Sequence, residues 1–167
     1  LVKLRQRKFE DFNIGDKFTC TRGRTVTDAD ITLFCMLSGD WSAIHSDEEF
    51  ARKTEFKGRI AHGLLSLSIS EGFLNESGLF IVEDKEGEDE LEEAIVDLGW
   101  NNIKYTRPVL VGDTLYFEFE VVNKRVSKSR KGSGIVIVKT VCKNQKGEQV
   151  FVGEHVFLVP LKRGTKT

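Results

Sequence analysis

The second half of the chain holds four long runs rich in Val, Ile, Phe and Tyr: Ile95 to Tyr105, Thr114 to Val126, Gly134 to Asn144 and Gln149 to Leu161. β-Branched and aromatic side chains at this density favour strands. Turns separate the runs: Val109-Leu-Val-Gly-Asp113 follows the first, and Asn144-Gln-Lys-Gly147 reads as a tight antiparallel hairpin. Ahead of the strands, Leu64, Leu65, Leu67, Ile69, Phe73 and Leu74 would be apolar over most of a helix circumference, so that helix must be buried on several sides. It is predicted to begin near His62 or Gly63 and to run to about Ser77, with Gly78 as its stop. One buried helix and a run of long antiparallel strands predict the α+β class, with the sheet wrapped around the long central helix.

The first third is more broken. Asn13-Ile-Gly-Asp16 marks a turn, and Lys17 to Val26 reads as a strand. Thr27-Asp-Ala-Asp30 supplies an N-cap for a helix over about Ala29 to Leu37, ended by Gly39. A second short helix is expected over Asp47 to Lys53, capped by Ser46 with Glu49 three residues on. At 167 residues and 40% apolar content the chain is the size of one domain. Residues 1–8 read as an N-terminal extension, and the acidic stretch 83–93 as a solvated loop insertion. A curved sheet around one helix leaves an edge strand and an apolar face, which a second copy can cover, so a homodimer or higher homo-oligomer is expected.

Composition excludes several classes of function. The net charge is −1 and Lys and Arg are spread along the chain, which gives no footprint for nucleic acid. No apolar run reaches the roughly 20 residues of a membrane span, and the opening LVKLRQRKF is not a secretory signal. Cys20, Cys35 and Cys142 lie far apart and are odd in number, so neither a disulfide framework nor a zinc site is indicated. Reduced thiols and a cytoplasmic setting are expected. No residues show metal-ligand spacing, so neither a metal nor a redox cofactor is expected.

The stretch most informative for chemistry is Ser38-Gly-Asp-Trp-Ser-Ala-Ile-His-Ser-Asp-Glu-Glu-Phe-Ala51, followed by Gly58-Arg-Ile-Ala-His-Gly-Leu-Leu65. Asp40 and His45 are five residues apart. An ideal helix turns side chains at that spacing away from each other, and a strand separates them by roughly 17 Å. They converge only if residues 39–44 form a folded loop, which Trp41 and Ile44 are apolar enough to pin.

These blocks resemble the MaoC-like hydratases and their hot-dog-fold relatives, whose pattern is Gly-Asp-x-Asn-Pro-x-His, then Phe-Ala and Ile-Ala-His-Gly. Here the pattern reads Gly39-Asp40-Trp41-Ser42-Ala43-Ile44-His45, then Phe50-Ala51 and Ile60-Ala61-His62-Gly63. The resemblance extends from about Phe9 to Leu161 and includes Phe9-Glu-Asp-Phe-Asn-Ile-Gly-Asp16 and Arg107-Pro-Val-Leu-Val-Gly-Asp113. Ser42 and Ala43 stand where the family has Asn and Pro, which bears on loop geometry and chain-length preference.

The resemblance implies an (R)-specific enoyl-CoA hydratase that adds water reversibly across a double bond conjugated to a thioester. Asp40 would activate the water and His45 would hold it and share in proton transfer. The backbone N–H of Gly63, at the start of the central helix, would receive the enolate oxygen. Trp41, Ser42 and His62 are expected near the substrate, His62 chiefly shaping the helix entry. Lys128-Ser-Arg-Lys-Gly-Ser-Gly134 is basic, and Lys128, Arg130 and Lys131 could hold coenzyme A phosphates or form a solvated turn. Coenzyme A would enter as part of the substrate, with acyl carrier protein as the other possible carrier. Glu71, a carboxylate on an apolar helix, keeps an acyl-CoA thioesterase open as an alternative, and a non-catalytic acyl-thioester binding module is a third reading. His155 is expected to be structural.

Overall fold

The apolar stretch forms the helix that its pattern requires. In the computed structural model, which describes residues 3–84, 94–162 and 164, α4 (Gly63–Glu76) buries Leu65, Leu67, Ile69, Phe73 and Leu74. Around it run β5 (Val96–Tyr105), β6 (Thr114–Val126), β7 (Ser133–Lys143) and β8 (Gln149–Pro160), all antiparallel. Before α4 come β1 (Leu4–Gln6), β2 (Lys17–Thr19), β3 (Arg24–Thr25), α1 (Asp28–Ser38), α2 (Ala43–Ser46) and α3 (Glu48–Arg52), and β4 (Ile81–Glu83) follows it. The six-stranded sheet has the order β2-β6-β7-β8-β5, with β3 also on β6, which leaves β5 at an edge.

Period-two patterning decides which face of the sheet meets the helix. Leu115, Phe117, Phe119 and Val121 on β6, Val136, Val138 and Cys142 on β7, and Phe151, Phe157 and Val159 on β8 are buried. Phe73 of α4 packs on Phe117 with ring centroids 4.8 Å apart. Fully burying one such side chain contributes about 1.5–3 kcal/mol, so the sheet and α4 form one core. Among the described residues no helix is long and apolar enough to cross a membrane.

Four sequence expectations are corrected. The strand over 17–26 is two short strands. Thr19 faces Glu118 and Arg24 faces Leu115, so five steps on one side match three on β6, and the surplus residues loop out. The cap of α3 is Asp47, whose carboxylate accepts the Phe50 amide at 2.9 Å, while Ser46 closes α2 and turns its hydroxyl back to the Trp41 carbonyl. Within the stretch read as an extension, Leu4–Gln6 form β1, which pairs with β4. Finally, Glu83 of the acidic stretch ends β4, whereas residues 85–93 lie outside the described residues. The helix after Thr27 is as expected, with a reciprocal capping box between Thr27 and Asp30.

The turn Phe9–Asp11 ties β1 to the rest of the chain through a charge. Asp11 accepts two hydrogen bonds from the Arg5 guanidinium, at 2.6 and 3.1 Å, and one from the Lys8 amide, with the Lys162 ammonium 3.2 Å away. Burial opposes its ionisation, but the Arg5 hydrogen bonds, the Lys8 amide and Lys162 outweigh it and lower the carboxyl to about 2. A lowered carboxyl adds stability that is present above the unfolded value and lost as pH falls through the folded one. We therefore expect Asp11→Asn to cost about 2 kcal/mol near neutrality, the difference shrinking below about pH 4 and gone only below about pH 2. Urea denaturation of both proteins across that range checks it, and an equal deficit at pH 7 and pH 2 would contradict it.

Candidate active site

The loop after α1 folds because Gly39 leaves the helix in the left-handed conformation, with φ at 74°. The chain then closes one helical turn, α2, and so brings the two ends of the Asp40–His45 segment together. Ser46 N–H donates to the Ser42 carbonyl at 3.2 Å, and Asp47 N–H to the Ala43 carbonyl at 2.9 Å. The Ile60 amide donates to the Ile44 carbonyl at 3.3 Å and moors this turn to the segment that enters α4.

Ser42, where the family has Asn, holds the acid. Its hydroxyl donates to Asp40 Oδ1 at 2.6 Å and its backbone N–H at 3.1 Å. These two bonds, the hydroxyl first, hold the Asp40 carboxyl below the usual carboxylate range, with smaller help from His62 and His45. Asp40 is exposed and ionised at neutral pH, and Oδ2 is the oxygen left for chemistry. His45 Nδ1 lies 2.7 Å from the Ile60 carbonyl oxygen. A carbonyl only accepts, so Nδ1 carries a proton and Nε2 is the ring nitrogen turned away from that bond.

His62 does more than shape a helix entry. It is buried, it stacks on His45 with ring centroids 3.7 Å apart, and its Nε2 lies 3.1 Å from the Asp40 carbonyl and 3.7 Å from Oδ2. By the same acceptor argument Nε2–H donates to that carbonyl. His62 is the N-cap of α4 but makes no side-chain cap bond, because its ring is directed to Asp40 instead. One ligand atom each of Asp40, His45 and His62 falls within 4.8 Å of the others. A water about 2.8 Å from both Asp40 and His45 can therefore be shared.

His45 and Gly63 open on a cleft of about 410 Å³ whose walls include Phe56, Tyr105, Val109 and Val150. Gly63 is the first residue of α4, where the leading amides have no intrahelical acceptor and the dipole favours negative charge. A Cβ on Gly63 would lie 2.6 Å from Tyr105 Cζ, so the phenol ring already occupies the space that glycine leaves. Trp41 is 54% exposed and is not among the cleft walls. Lys128, Arg130 and Lys131 lie in the β6–β7 turn, beside the end of β8 at Pro160, whereas Val150 and the cleft lie at its start. That separation is roughly 30 Å along β7, so one chain does not bring them to the cleft. Tyr105, Val109 and Val150 were not legible as site residues, since no local motif marks them and Val150 joins the other two only across the sheet.

Residues 10–142 match the family described as MaoC like domain. The (R)-specific enoyl-CoA hydratase of Rhodospirillum rubrum is 28% identical over 158 residues, covering 92% of this chain and 92% of that protein. Protein MaoC of Klebsiella aerogenes is 30% identical over 125 residues, 75% of this chain, and the chain spans about a third (33%) of that protein's length. Among solved structures, the monoamine oxidase regulatory protein of Archaeoglobus fulgidus superposes with a TM-score of 0.81 at 34% identity, covering 94% of this chain and 96% of that one. The α+β architecture is the hot-dog fold.

Ala43 stands at the first position of α2, where proline is favoured because its φ suits a helix start and its missing N–H is not needed. Ser42 before it has ψ 136°, the extended conformation that a following proline requires. Ala43→Pro is expected to raise stability by about 0.4–1 kcal/mol by restricting the unfolded chain. A thermal melt checks this, and a lowered melting temperature would show that the loop cannot take the family residue.

Proposed function

The chain belongs to the MaoC-like domain family, and from that premise we propose that it hydrates trans-2-enoyl thioesters reversibly to (R)-3-hydroxyacyl thioesters. The observation that carries this reading is the meeting of the Asp40 carboxylate and the His45 ring, one ligand atom of each within 4.8 Å of the other and so within reach of one water. Water adding to the β-carbon must lose a proton, the α-carbon must gain one, and the thioester oxygen carries negative charge between the two events. Asp40 takes the water proton. His45 aims the water through Nε2, and the proton returns to the α-carbon. The Gly63 amide at the head of α4 receives the enolate oxygen. The phenol of Tyr105 covers this point from the other wall. Coenzyme A, or the phosphopantetheine of an acyl carrier protein, is the carrier.

Glu71 offers little to a thioesterase reading within one chain. It lies eight residues beyond Gly63, roughly 12 Å along the helix, and it faces His155 and Asp97 rather than the cleft. The partner we infer for the exposed edge of β5, with Val96, Leu98 and Tyr105 on its surface, is a second copy of the chain. Light scattering giving the mass of one chain would rule that dimer out.

Purified protein mixed with crotonyl-CoA is expected to lower the enoyl-thioester absorbance without releasing free thiol. Asp40→Asn, whose amide cannot accept the proton, is expected to slow this by about 10²–10⁴. Wild-type rate in Asp40→Asn would defeat the assignment. Thiol release from saturated acyl-CoA would turn it to a thioesterase, and tight binding with no turnover of any chain length would leave a binding module.

A further inference from the structure

A second cluster sits further along the central helix and along strands β5 and β8. Glu71 of α4, Asp97 of β5 and His155 of β8 meet there, with one ligand atom of each within 4.8 Å of the other two. We propose that Glu71, Asp97 and His155 bind a single first-row divalent transition-metal ion, of the Zn²⁺ class, at a site separate from the cleft at His45 and Gly63.

The histidine carries the argument. His155 is 1% exposed, held between the Trp100 ring at 4.0 Å and the Phe157 ring at 4.0 Å. Its buried Nε2 makes no hydrogen bond, although Asp97 Oδ1 lies only 3.0 Å away, because that oxygen sits off the line that a ring N–H would take. Two ligands of one tetrahedral ion with bonds of about 2.0–2.1 Å stand roughly 3.3 Å apart and point at the ion rather than at each other. Glu71 belongs to the same group, but its Oε1 lies 3.4 Å from the other ring nitrogen, Nδ1, so its carboxylate must turn toward Nε2 to join the same ion. A protonated histidine bridging two carboxylates would aim a ring N–H at each of them, and neither contact is a hydrogen bond.

The surroundings suit an ion with open positions. Asp97 Oδ1 accepts the Gly99 amide at 2.6 Å, a bond that orients the carboxylate from outside. Glu71 and Asp97 both line a cleft of about 410 Å³, so water completes the coordination from that side. One imidazole and two carboxylates suit Zn²⁺, Co²⁺ or Mn²⁺ better than a thiolate-seeking ion. The ligands are 26 and 58 residues apart in sequence, which is why no spacing motif announces them.

Trp100 is a reporter already in contact with the site. The chain has two tryptophans, so Trp41→Phe leaves Trp100 alone. In that background, protein stripped with chelator and titrated with Co²⁺ is expected to lose Trp100 fluorescence up to one equivalent, and Zn²⁺ is expected to reverse the loss. Glu71→Gln and Asp97→Asn, each close in shape and partly exposed, should weaken Co²⁺ binding by more than the roughly tenfold that an outer-shell partner is worth. If either variant failed to fold, as judged by circular dichroism, the other decides. Asp40→Asn in the same background should leave the titration unchanged. No quenching at millimolar Co²⁺, quenching indifferent to both Glu71→Gln and Asp97→Asn, or quenching lost in Asp40→Asn would each overturn the proposal.

Discussion

Helix α4 can exist only inside the sheet. Five of its large apolar side chains are buried and they point in several directions, so no single flat surface could cover them. The sheet must therefore curve, and the long strands β6, β7 and β8 supply the inward faces that do so. Phe73 against Phe117 is the point where the two layers lock. Once the helix is enclosed, its N-terminus is fixed at one end of the sheet, where the ends of β5 and β8 and the 105–110 segment stand against it. The position of the candidate active site follows from that enclosure.

The loop that carries Asp40 and His45 is held by contacts that serve two elements at once. His62 ends the segment entering α4, supports His45 by stacking and holds the Asp40 backbone by a hydrogen bond. Ile60 does likewise, its amide mooring α2 and its carbonyl fixing the His45 tautomer. Helix start and candidate-site loop are thus one unit. Ser42 completes it from within the loop, with a shorter side chain than the family asparagine but close enough to reach Asp40.

The two clusters of acid and imidazole differ in a way that electrostatics explains. Asp40 is exposed and receives hydrogen bonds, so its charge is favoured. Glu71 is half-buried beside a second carboxylate, so its charge is opposed. Water solvates the first, while the second is a place where a positive charge would be welcomed.

Much of this was written in the sequence. The extent of α4, the four long strands, the Thr27 cap and the need for Asp40 and His45 to converge all follow from periodicity and local hydrogen bonding, which depend on near neighbours in the chain. Membership in the family was legible for the same reason, because Gly39 to His45 and Ile60 to Gly63 are contiguous. What stayed hidden depends on pairing between distant segments. The short β1 and β4 have too few residues to show a pattern, and the break between β2 and β3 is set by the count of residues on β6. The cleft walls at Tyr105, Val109 and Val150, the stacking of His62 on His45, and the meeting of Glu71, Asp97 and His155 exist only once the sheet has closed. Local chemistry fixes what each segment can become, and only the closed sheet decides which side chains from far-apart segments share a few ångströms of space.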